Sequence, residues 1–146
     1  MSQNKILILI ILSLQIFSNT IFSAEFKIIV NKNSIRSEIS KTELRQIYSI
    51  NKTSWENNRN IVLAHFVFDS KLARNFSIDV LGKNAVQIQK FYLKKVFNGV
   101  ISNVPYEAED LEGMTEFVKA NIGAIGYVSE KTSLKDLNEV KTIFLK

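Results

Sequence analysis

Four polar side chains stand together in this sequence in a way that could do chemistry: Asp69, Ser70, Lys71 and Arg74. They follow the nearly continuous apolar run of residues 61–68, whose length suits a strand buried on both faces. Asp69-Ser70 then reads as the start of a helix, with Leu72, Phe76 and Val80 continuing on one face. A helix start offers unpaired N–H groups and the positive end of the helix dipole, which suits an oxyanion. In an open α/β sheet, ligands bind beyond the carboxyl ends of strands, where this junction falls. Ser70 could donate its hydroxyl, Lys71 and Arg74 add positive charge, and Asp69 could accept a proton from a protonated phosphate oxygen. The plainer reading is that Asp69 or Ser70 simply caps the helix.

The loop after the first strand supplies a second candidate. Asn31, Asn33 and Ser34 could present donors at the same sheet edge, or they could form a polar turn. His65 is the single histidine and lies in the apolar run, which fits a hydrogen-bonded core residue better than a ligand or base. Trp55, in a polar loop, is expected to pack over a sheet edge, and Tyr127 to sit in the core. With one histidine and no cysteine, no metal constellation or disulfide framework is readable. No nucleophile elbow, phosphate loop or dinucleotide fingerprint occurs. The expectation is a binding protein without a cofactor, not an enzyme.

The elements that would position these residues alternate between strand and helix. Residues 26–30 are rich in β-branched side chains and read as a strand. Ser40 to Glu43 has the form of a capping box, with Glu43 reaching back, ahead of a helix carrying Leu44, Ile47 and Tyr48. Asn84 opens a further helix that closes near Phe97-Asn98-Gly99. A loop holding Pro105 leads to a helix over about 108–120. Gly123 is expected to end that helix in a left-handed conformation. Gly126 lies inside the next strand, where a missing side chain marks a bulge or a close backbone approach. Residues 140–145 read as a final strand. The order predicts an α/β domain with a mainly parallel sheet flanked by helices.

The chain has 146 residues and a formal charge of +5. Lys5, the apolar stretch 6–17 and the small residues Ser23-Ala24 describe a secretory signal peptide over 1–24, with residues 25–146 as one domain. A periplasmic or secreted location follows from that expectation. The modest basic excess favours anionic ligands weakly. There is no arginine-rich run and no aromatic-basic repeat, so nucleic acid is not expected as a partner.

Several segments, taken in order, resemble the phosphate-binding periplasmic proteins and their small single-domain relatives. These are residues 28–33 with the helix 40–48 and Trp55, then residues 69–76, then Phe97-Asn98-Gly99 with Pro105, and finally residues 123–128. The resemblance implies one periplasmic-binding-protein-like lobe. It also implies phosphate or another small oxyanion at Ser70, and a membrane transporter of the ABC type or a receptor as partner. Asp69, Lys71 and Leu72 depart from that family's glycine- and threonine-bearing turn. The alternative expectation is therefore a periplasmic interaction or sensory module that keeps the fold without a tight ligand.

Overall fold

The computed structural model describes residues 25–146; the signal peptide expected over 1–24 lies outside the described residues. In chain order the elements are β1 (Phe26–Asn31), β2 (Glu38–Ile39), α1 (Lys41–Tyr48), β3 (Val62–Phe66), α2 (Lys71–Phe76), α3 (Ala85–Phe97), β4 (Tyr106–Ala108), α4 (Leu111–Ala120), β5 (Ala124–Ser129) and β6 (Val140–Leu145). A wider π-type turn over Ser77–Leu81 prolongs α2, and Gly82 closes it at φ 65°, a left-handed value natural to glycine.

The helix starts follow local chemistry. Ser40, Ser70, Asn84 and Asp110 each accept a backbone N–H three residues on, at 2.8–3.1 Å. The full capping box forms at Asn84 and Gln87. It does not form at Ser40, because the Glu43 carboxylate turns outward to Arg36 at 2.5 Å and Lys52 at 2.6 Å. Two charge-assisted partners outcompete one backbone amide there.

The sheet has the order β2-β6-β1-β5-β3-β4. Strands β2 and β6 pair in parallel, as do β5 with β3 and β3 with β4, while β1 is antiparallel to both its neighbours, β5 and β6. The first strand therefore runs against all the others in a mainly parallel sheet. β4 occupies part of the segment expected to be loop and helix start. Its three residues carry no alternating apolar signal, and pairing with the buried β3 makes it a strand.

Helices cover both faces. On one, Phe76 of α2 stacks on Tyr127 with ring centroids 3.7 Å apart, and Tyr48 of α1 packs edge-on against Phe76 at 4.8 Å. On the other, α4 lies so close that a Cβ on Gly126 would fall 2.6 Å from Met114 Sδ and 3.2 Å from Val118 Cγ2. The close approach expected at Gly126 is thus present. Gly123 is different: its φ is not positive, and it is needed because a Cβ would lie 2.0 Å from the Asn60 carbonyl oxygen. Trp55 is buried beside it and donates Nε1–H to the Gly123 carbonyl at 3.0 Å.

Candidate functional site

β3 delivers the chain to residues 67–70 at the carboxyl end of the parallel strands. Ser70 N turns back to the Val67 carbonyl at 3.0 Å, and the Ser70 Oγ accepts the Ala73 N–H at 3.1 Å. Arg74 N–H goes to the Ser70 carbonyl at 3.1 Å. The amides of Lys71 and Leu72 have no acceptor among the described residues, as expected for the first turn of a helix. Ser70 is half-buried, and its hydroxyl proton remains available while its oxygen serves as the cap. Asp69, Lys71 and Arg74 are exposed. The Arg74 guanidinium folds back to donate to the Asp69 carbonyl, which places its charge over the turn.

The structure does not bring Asn31 and Ser34 to this place. Because β1 is antiparallel, Asn31 stands level with the start of β3, one residue past the Val30–Ile125 pair that faces Leu63. Phe66 lies about 13 Å further along at 3.3 Å per residue, with Ser70 beyond it. The expectation of a shared edge fails on strand direction. Asn31 is 3% exposed and donates Nδ2–H to the Val118 and Lys119 carbonyls at 3.0 and 2.8 Å, so it caps the end of α4. Its Oδ1 accepts Asn33 N–H at 3.0 Å. Ser34 Oγ accepts Arg36 N–H at 3.2 Å, and its carbonyl accepts from Lys141.

The reversed β1 brings different residues to the Ser70 end. Lys27, near its start, donates to the carbonyls of Glu130 and Thr132 and so holds the loop after β5. Asn75 of α2 donates to the Glu25 carboxylate. Residue types alone gave no sign of either, since a strand's direction in a sheet is not written in its own side chains.

Behind the turn lies a closed aromatic cluster. His65 is fully buried, with Nδ1 2.8 Å from the Tyr127 hydroxyl and 2.9 Å from the Phe66 carbonyl. Its Nε2 has no hydrogen-bond partner among the described residues. Burial lowers the imidazole pKa to about 4, opposed by the Phe66 carbonyl, so the ring is neutral near pH 7. Burial likewise pushes the Tyr48 and Tyr127 hydroxyls well above the ordinary tyrosine value. The rings of Phe68, Phe76, Tyr48 and Tyr127 surround the imidazole, and among the described residues no carboxylate or nucleophile is paired with it. His65 and Tyr127 are core residues, as expected. No group of histidine or acidic side chains among the described residues could hold a metal ion.

No protein-family description matches this sequence, and no curated protein matches it. Solved structures do match in fold: the chain has the architecture of a periplasmic-binding-protein-like lobe. One neighbour, from Clostridium perfringens, is described as a phosphate ABC transporter substrate-binding protein with bound phosphate; it has a TM-score of 0.62 at 17% identity over 83% of this chain. An ABC-type phosphate transport receptor from Vibrio cholerae gives 0.62 at 16%, and PstS from Borrelia burgdorferi 0.62 at 10%. The chain spans only 44–47% of the length of these three proteins. The resemblance read from the ordered segments is thus matched at the level of fold.

Proposed function

We propose that this chain is an exported, solute-binding-like lobe that takes phosphate or another small oxyanion at the Ser70 turn and hands it to a membrane transporter. One observation carries the reading. At the carboxyl end of β3 the turn leaves the Lys71 and Leu72 amides without an acceptor among the described residues, beside the Ser70 hydroxyl and the Arg74 guanidinium, with Lys71 exposed in the same turn. Such a group of donors suits an anion. The Asp69 carboxylate beside them favours a singly protonated oxyanion, which can donate a proton to it. The described phosphate proteins with this fold support the same ligand class, and their transport role supports a periplasmic location. The chain's part is binding, not catalysis.

Calorimetry with phosphate and with sulfate tests this reading. Ser70→Asp keeps a capping side chain but places a negative charge at the site, and Arg74→Gln removes a positive one. Binding of either anion that falls in both variants supports the proposal; no heat with either anion contradicts it.

A second reading is a module that kept the fold and works through protein contacts. It is favoured by the exposure of Asp69, Lys71 and Arg74 at the turn and by Lys71 and Leu72 standing where the resembled family carries glycine and threonine. Pull-down from an envelope fraction tests it, and tight phosphate binding with no protein partner would contradict it.

A further inference from the structure

Helix α3 carries a second apolar stripe that faces away from the core. Its inner face buries Ala85, Ile88 and Tyr92. Its outer face leaves Leu93 at 56% and Phe97 at 91% exposed, and Val100, just past the helix, at 54%. Positions 93 and 97 are one turn apart and lie one above the other. A hollow of about 720 Å³ opens beside them, with Leu93, Val96, Phe97 and Val104 among its walls. Grouped exposed apolar side chains of this kind mark an interaction surface.

Along this stretch of the chain the charge has one sign. Between Asp79 and Glu107 the only charged residues are Lys83, Lys90, Lys94 and Lys95. None of these lysines makes a salt bridge among the described residues. Lys95 lies 5.3 Å over the Phe91 ring, while Lys90 and Lys94 are exposed beside Leu93 and Phe97. An apolar stripe edged by unpaired lysines is the pattern of a helix that lies in a membrane interface.

We propose that this face of α3 docks on an anionic membrane surface, with Leu93, Phe97 and Val100 entering the acyl boundary and Lys90 and Lys94 meeting the headgroups. Lipid fits better than an acidic protein, because single unpaired lysines need no fixed geometry and headgroups meet them in any arrangement. The surface shares no residue with the Ser70 turn, and this proposal does not depend on anion binding there.

The chain has no cysteine, so a label can be placed at one position. Full-length protein carrying Val100→Cys with a nitrobenzoxadiazole label is titrated with phosphatidylcholine vesicles, with and without phosphatidylglycerol. Asn57→Cys serves as the control position. The proposal expects a blue shift at position 100 with anionic vesicles only, none at position 57, and loss of the shift on adding Phe97→Ser. Lys90→Gln with Lys94→Gln should weaken binding on the order of 25-fold, at roughly fivefold for each lysine, and added salt should weaken it further. Three results would overturn the proposal. They are vesicle binding with no change at position 100, which places the contact elsewhere in the chain; an equal response to neutral vesicles; and a response at position 100 only to an acidic protein from the envelope.

Discussion

Lowering the pH from 7 to 4 should remove about 3 kcal/mol of stability through His65 alone. The folded imidazole has a pKa of about 4 because it is buried among rings with one nitrogen unpartnered; in the unfolded chain it returns to about 6.5. A histidine whose folded pKa is lowered is neutral in the fold and charges more readily when unfolded. Its contribution is therefore present above pH 6.5 and is lost as pH falls towards 4, at up to about 1.4 kcal/mol per pH unit. Urea unfolding at a series of pH values, for the wild type and His65→Gln, measures this. Carboxylates titrate in the same range, so the difference between the two proteins is what counts. None of the ring groups around the imidazole is acidic in that range. The variant should have lower stability at pH 7 and a shallower pH dependence between 6.5 and 4. Parallel curves would refute the reasoning and mean that the ring already reaches water in the folded state.

Four other substitutions test the packing. Gly123→Ala should cost about 2–3 kcal/mol, and more than Gly126→Ala, because its methyl would meet the Asn60 backbone oxygen while Met114 can shift its sulfur; chemical denaturation ranks the two. Asn31→Ala should cost about 1–3 kcal/mol by uncapping α4, yet leave any phosphate binding unchanged in calorimetry. Phe76→Ala, which removes the ring stacked on Tyr127, should cost about 3–5 kcal/mol in the same denaturation assay.

The alternation of strands and helices was legible because each element carries its own signal. Ser70 and Asn84 announce helix starts, residues 62–66 are apolar enough for a buried strand, and Gly126 marks the place where α4 presses on the sheet. The direction of β1 was not legible. A β-rich segment looks the same whichever way it runs, and that direction moved Asn31 and Ser34 away from the Ser70 turn and put Lys27 nearer to it. Strand β4 was missed for a related reason: Tyr106–Ala108 becomes a strand through its neighbour β3, a partner distant in sequence. Gly123 was placed correctly as a required glycine but for the wrong cause, since the contact that excludes a side chain comes from Asn60, far back in the chain.

The most direct test of the central claim is an amide NMR titration with inorganic phosphate. The largest shifts are expected at the Lys71 and Leu72 amides, smaller ones across residues 69–74, and none at Asn31 or Ser34. Shifts centred on Asn31, or no shift within residues 69–74 at saturating phosphate, would contradict it.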